Sequence, residues 1–351
     1  FDMSKLTGDG QFAALSSAQV KALSNTQIGA ITEDQAAILT PAQVAGLKAS
    51  QATSITPADI AVLKPTTFAA LSTAVINALT DDAAAAAQVE AITADQAKAM
   101  TTAQAKALSL AYIDSITSEA IDALTPPALA AVTPTAIAGV NAAAFAGLSA
   151  AQVAAMTPAQ FSALNHASQG VGNAQNQLAQ LGSIQAAAIT PAQIKVLDAA
   201  DILALGSEAV SSLAPATLAA IDSATFYKLA SDAFGAFTPA QIAALTPAQL
   251  KGLDDTNAGS GHTAAGQVSS LTPTQTAALN VKQLVAIHAD DLAKLSADAF
   301  SAINPAAFSG LDFTSLTNTQ LSFISSAQAA TITSKQLALL TSAKVAALTS
   351  D

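Results

Sequence analysis

Apolar residues recur every eight positions along this chain. With Leu39 as position 0, they fall at Leu15, Leu23, Ile31, Leu39, Leu47, Ile55, Leu63, Leu71 and Leu79 without a slip. The same period covers 92–164, 181–253, 271–311 and 316–348, giving 40 anchors, all of them Leu, Ile, Val, Met or Phe. Position 5 is apolar as well (Val20, Ile28, Val44, Phe68, Phe145, Ile242), and position 7 is usually Ala or Gly. A strand would alternate with period two, so anchors at 0, 5 and 8 exclude one. Positions 5 and 8 are three apart and share a helix face.

The polar positions mark where each helix starts. Position 1 is Ser, Thr, Asp or Asn in 33 of the 40 phrases, and position 2 holds 12 of the 13 prolines. Position 4 is often Gln, as at Gln19, Gln27, Gln43, Gln152, Gln241 and Gln320. Ser or Thr followed three residues later by Gln is a capping box, in which hydroxyl and amide satisfy otherwise orphaned backbone donors. Pro is harmless at the first helical position, where its missing N–H would have had no partner. An apolar residue before the cap and another at the fourth helical position form a hydrophobic staple. LTPAQV (39–44) carries all three devices.

The pattern therefore predicts one helix of about six or seven residues per phrase, ended by the next cap. Isolated helices below about 12–15 residues are marginal, so such rods must stack on their neighbours. The expected fold is all-α, a solenoid or superhelix of very short helices, one per eight-residue repeat. Small residues at position 7 are expected to let successive helices approach closely.

Residues 1–351 read as a single repeat array with register blocks 15–79, 92–164, 181–253, 271–311 and 316–348. Insertions at 80–91, 165–180 and 254–270 and a shortened repeat at 312–315 separate them. TDDAAAAAQVEA (80–91) is expected to lengthen one helix. NHASQGVGNAQNQLAQ (165–180) and DDTNAGSGHTAAGQVSS (254–270) are Gly/Asn/Ser-rich and read as loops. All three are open to reading as bends, as lateral contacts between copies, or as neutral loops. Their candidate partner-contact residues are Asn165, His166, Asn173, Asp254, Asp255, Asn257 and His262.

Composition narrows the function. The net charge is −11 and every one of the 13 basic residues is Lys. Bidentate grip on phosphate is mainly arginine's work, and a nucleic-acid partner needs a basic stripe, so nucleic acid is excluded. Mean hydropathy is +0.44, yet Ser, Thr, Gln or Asp interrupts each phrase, and no apolar run has the ~18 residues of a membrane span. The N-terminal FDMSKLTGDG lacks an initiator Met and the features of a secretion signal, so the chain is expected to be processed or partial.

Candidate chemistry is sparse. His166 and His262 sit in the insertions and His288 at a cap position, without the close partners that zinc or catalysis requires. Asp254, Asp255 and Asn257, or Asp81 with Asp82, offer oxygens for Ca²⁺, but match neither an EF-hand loop nor a calcium-binding nonapeptide. Otherwise no cofactor is expected. Asp290 with Asp291, Asp198 with Asp201, and Glu33 with Asp34 fall in first turns, where carboxylates favour the helix dipole. Tyr112 and Tyr227 stand alone, and there is no phosphate loop or G-x-S-x-G elbow. An enzyme is not expected.

LTPAQVAGL (39–47) resembles the opening of the TAL-effector repeat, but that family repeats near 34 residues and is basic, so the likeness is set aside. LSSAQVKALSNTQIGAIT (15–32) and FTPAQIAALTPAQLKGL (237–253) are similar to phrases of large Ala/Thr-rich bacterial surface or secreted proteins with octapeptide repeats. The resemblance implies an extracellular or cell-surface structural protein and no site residues. The expected function is self-assembly into a fibre, sheath or surface layer. Alternatives are a solenoid binding module, adhesin-like or ligand-binding, that uses its groove or insertion loops, and ice binding through regularly spaced Thr. Capping should consume most of those hydroxyls.

Overall fold

The computed structural model describes residues 9–79, 85–108, 115–164, 177–229, 231–253 and 266–348. Among them every regular element is helical, and the α-helices run from four residues, as in Pro41–Val44, to seven, as in Thr73–Leu79. Many are shorter than the periodicity predicts because the last residues of a phrase leave the helix for a turn before the next cap.

Most corners are built from the predicted cap, although helices behind Lys64, Leu205 and Ala214 start without a side-chain cap. Thr40 takes an extended backbone (φ −94°, ψ 156°) and Pro41 opens the helix behind it. The Gln43 N–H donates to the Thr40 hydroxyl at 3.4 Å, while the Thr40 N–H donates to Gln43 Oε1 at 2.8 Å. The same reciprocal pair holds Ser16 to Gln19, Thr157 to Gln160 and Thr317 to Gln320. Local chemistry thus bends the chain at each phrase, and the hydroxyls are spent on backbone donors.

Packing then sets the coil. The chain divides into two compact units, residues 1–181 and 182–351. In the first, Ser17–Ala22 stacks on Pro41–Val44, Glu33–Ala37 on Pro57–Val62, and Pro134–Gly139 on Pro158–Ala163. In the second, Ser183–Ala186 stacks on Gly206–Ser212, Pro215–Leu218 on Pro239–Ala244, and Asn318–Ser322 on Ser342–Ala347. Each helix rests on the one three phrases away, so three eight-residue phrases make one turn in both units.

Side chains at positions 0 and 5 point inward from all three helices of a turn and close a continuous core. Val44, Ile60, Phe68 and Phe161 are at most 1% exposed. Where position 5 is aromatic in two consecutive phrases, the rings meet edge to face. Phe226 and Phe234 lie 5.2 Å apart, and Phe300 and Phe308 lie 5.9 Å apart, a favoured geometry for aromatic pairs.

Small residues at position 7 serve contacts between turns, not between successive helices as the sequence suggested. A Cβ on Gly46 would lie 2.6 Å from the carbonyl oxygen of Ser17 on the helix one turn below. On Gly147 it would run into the Asp122 carboxylate, and on Gly310 into Val281.

The register breaks contain in-register rungs. The expected lengthening of a helix by 80–91 falls on residues 80–84, which lie outside the described residues; after them Ala85–Glu90 is helical and brings Gln88 and Val89 to positions 4 and 5 of the phrase that ends at Ile92. In 165–180 and 254–270, read as loops, Gln177 with Leu178 and Gln267 with Val268 likewise return to the core before the following anchor.

Candidate functional site: amide bridges between turns and a surface cleft

Among the described residues, the buried polar side chains fall at one register position, Thr276 at position 5 excepted. Gln43, Gln51, Gln96, Gln104, Gln152, Gln160, Gln249 and Gln283 are at most 2% exposed, all at position 4. Capping accounts for only half of each amide. While Oε1 accepts from the N-cap of its own helix, Nε2 reaches the C-terminal carbonyls of a helix in the turn below. Gln43 donates to Phe12, Ala13 and Leu15 at 3.2, 3.3 and 2.9 Å. Gln104 donates to Phe68, Ala69 and Leu71 at 3.2, 3.1 and 2.9 Å. Gln283 does the same to Ile242, Ala243 and Leu245 at 2.8, 3.1 and 2.8 Å.

A helix leaves its last four carbonyls without internal partners. In rods of four to seven residues that is most of the helix, so burying them in a thin coil would be prohibitive. Most bridging amides satisfy two or three of them and one N-cap N–H together, whereas Gln88 only bridges and Gln320 only caps. Such an amide is both cap and cross-tie.

Other donors fill the same place. The Thr67 and Thr217 hydroxyls donate to Leu39 at 3.0 Å and to Ile189 at 2.7 Å. Lys344 Nζ donates to Phe313 at 3.2 Å and to Thr314 at 2.6 Å. At Ala120, Ala128, Ala136 and Ala144, position 4 carries only a buried methyl.

Sequence reasoning assigned the glutamines to capping and missed the bridges. A signal was present: Gln51, Gln185, Gln88, Gln177 and Gln267 keep position 4 although position 1 is Lys48, Gly182, Ala85, Ala174 and Ala264. A capping box needs its hydroxyl, so Gln without one points to a second duty. Gln51 meets both demands, accepting from the Lys48 N–H at 2.7 Å and donating to Leu23 at 2.8 Å.

The candidate residues Asn165, His166, Asn173, Asp254, Asp255, Asn257 and His262 lie outside the described residues, as do Asp81, Asp82 and Tyr112. His288 caps Ala289–Leu292, its Nδ1 accepting from the Asp290 N–H at 3.4 Å. Tyr227 spans two turns, its hydroxyl donating to the Ala248 carbonyl and its ring filling the space where a Gly252 side chain would stand.

The second unit carries a surface cleft of about 890 Å³ beside the shortened phrase, lined by Lys251, His288, Asp290, Asp291, Lys294 and Asp312 among others. Two of its charges are held by local contacts. Lys294 Nζ sits 2.8 Å from Asp291, and the Thr314 hydroxyl and N–H hold the Asp312 carboxyl below its ordinary range. Among the described residues no three His, Cys, Asp or Glu side chains converge as a metal site, and no helix is long and apolar enough to cross a membrane. The cleft offers both signs of charge to a polar partner, including His288 with its Nδ1 3.5 Å from an Asp290 carboxylate oxygen.

Asp122 differs from these surface acids. Its Oδ1 is buried without a partner, and burial, with Glu119 nearby, raises its carboxyl above the ordinary range.

Compared with known proteins, residues 9–41 match the ALTTAQ repeat family, which is consistent with a repeat protein. No curated protein matches the chain.

Proposed function

We propose that this chain is a structural repeat protein of the cell surface or extracellular space that self-assembles into a fibre, sheath or surface layer. One observation carries the reading: a single interface, built of inward Leu/Val rows and backbone-directed amides, serves from turn to turn. Such an interface reads only main chain and small apolar side chains, so another copy of the same repeat is a chemically adequate partner. With charged residues at 11% of the chain, the outer surface is cheap to desolvate. The reading assigns no catalytic activity and needs no cofactor. Negative-stain microscopy and sedimentation across a concentration series test it. Ordered polymers are expected, and particles that stay monomeric at the highest attainable concentration would sink it.

The cleft at 284–315 favours a second reading, a binding module for a small polar partner. Reversing its charges with Lys251→Glu and Lys294→Glu would abolish binding under that reading and leave assembly unchanged under the first.

A further inference from the structure

The bridging position also carries the opposite chemistry. Asp59, Asp201 and Asp291 stand at position 4 with exposures of 3, 6 and 6%, where most rungs set an amide or a hydroxyl against the carbonyls of the turn below. A carboxylate offers no donor. Two rungs show what such a place accepts. Lys344 brings an ammonium to the Phe313 and Thr314 carbonyls, and Lys294 Nζ meets the Asp291 carboxylate at 2.8 Å. Asp59 has neither. Its Oδ2 accepts from the Thr56 N–H at 3.3 Å and the Thr56 hydroxyl at 2.7 Å. Among the described residues its Oδ1 accepts no hydrogen bond.

The register says what Asp59 faces. Gln43 and Gln51 reach carbonyls 31 and 28 residues back, and the same offsets set Asp59 above Ile28 and Ile31. Packing agrees, since a Cβ on Gly29 would lie 3.3 Å from the Ser54 carbonyl oxygen of the corner leading to Asp59. The Ile28 carbonyl accepts from the Ile31 N–H at 3.1 Å, whereas the Ile31 carbonyl accepts no hydrogen bond among the described residues. Asp59 and Ile31 line one cleft of about 460 Å³, with Thr32, Thr56, Glu33 and Asp34 around them. Oxygen therefore faces oxygen, and a positive centre is needed where glutamine elsewhere supplies its amide hydrogens.

We propose that a calcium ion takes the amide's place at this rung, bound by Asp59 Oδ1 and the Ile31 carbonyl, with water completing its shell. The donors select the ion. Calcium combines carboxylates with backbone carbonyls in flexible geometry, whereas magnesium demands a near-ideal octahedron and sheds water reluctantly. Glu33 and Asp34 are exposed at the mouth and contribute attraction, not ligands. With one carboxylate ligand the affinity belongs at the weak end, on the order of 10⁻⁴–10⁻³ M. The ion ties the 55–63 phrase to the corner at 28–31, independently of any assembly.

Urea unfolding of the full chain tests the site. In about 10 mM calcium chloride, against EDTA, binding at that affinity raises the folded-to-unfolded ratio about ten- to hundred-fold. Asp59→Gln restores the amide used at other rungs, so it should fold without calcium, as far-UV circular dichroism checks. It should be at least as stable as wild type in EDTA and lose the calcium gain. Equilibrium dialysis should count one calcium fewer per chain than in wild type. Magnesium at the same concentration should give the smaller shift. A variant that keeps the full wild-type response, or equal calcium counts, would overturn the site. So would a wild-type midpoint that follows pH but not calcium.

Discussion

Gln96 isolates what the amide bridges are worth. Its side chain is fully buried, accepts from the Thr93 N–H at 3.0 Å, and donates to Ile60 and Leu63 at 2.6 and 2.8 Å. Gln96→Leu removes all three contacts at similar volume. Ile60 keeps the 3.2 Å bond it accepts from Leu63 N–H, so the groups stranded are chiefly the Thr93 donor and the Leu63 carbonyl. An orphaned buried polar group costs about 1–3 kcal/mol, and leucine's extra apolar burial offsets about 1 kcal/mol. For the two stranded groups the expected net loss is about 1–5 kcal/mol.

Gln19→Leu is the control, because Gln19 is exposed in the 17–37 turn, where its amide caps Ser16 at 2.8 Å; a cap alone is worth about 1 kcal/mol. Gln96→Glu sharpens the test. It retains an acceptor for Thr93 but sets a carboxylate against two carbonyls, which raises its folded pKa above the ordinary glutamate value of about 4.3. A group raised on folding costs stability as pH climbs past its unfolded value and costs nothing below it. The Gln96→Glu defect should therefore be large at pH 7 and shrink toward pH 4, while the Gln96→Leu defect stays constant. Urea unfolding followed by circular dichroism gives the totals. Hydrogen exchange of amides in 57–68 and 93–105 localises the loss, which matters because repeat arrays can open in segments. If Gln96→Leu proves no more costly than Gln19→Leu, the bridges contribute nothing and the reasoning fails.

Three further outcomes follow from the same structure. Gly46→Ala should lose about 1–3 kcal/mol by overpacking against the Ser17 backbone, whereas Gly235→Ala, whose nearest neighbour is 3.8 Å away, should be neutral or gain about 0.4–1 kcal/mol; paired thermal melts decide. Asp122→Asn should raise the urea midpoint at pH 7, since it removes a carboxylate that burial holds above its ordinary range; the gain should fade as pH drops toward the ordinary aspartate value of about 3.9, and a gain independent of pH would refute the assignment. Thr40→Ala removes the hydroxyl that accepts from the Gln43 N–H and should cost about 1 kcal/mol. It leaves the Gln43 bridges to 12–15 in place, so protection of those amides should persist in hydrogen exchange.

The sequence alone determined the rods and their corners, because capping acts within three residues. Thr40, Pro41 and Gln43 meet inside one phrase however the rest of the chain folds. The all-helical class, the extended cap at each corner and the inward rows at positions 0 and 5 were legible for the same reason. The number of phrases per turn was not, since it depends on how corner angles and core side chains settle against one another across turns. With it went the bridges. Gln43 and Leu15 are 28 residues apart, and that offset becomes 33 for Gln96 and Leu63 across the first insertion. It becomes 37 for Gln177 and Val140, then 38 for Gln283 and Leu245, across the next two. It falls to 25 for Gln328 and Ile303 over the shortened phrase. These intervals equal the spacing of an unbroken ladder plus five, nine or ten residues, or minus three. The insertions lengthen the chain between rungs and leave the rungs paired. Folding fixes amide to carbonyl through space, and only a closed turn reveals which phrase lies beneath which.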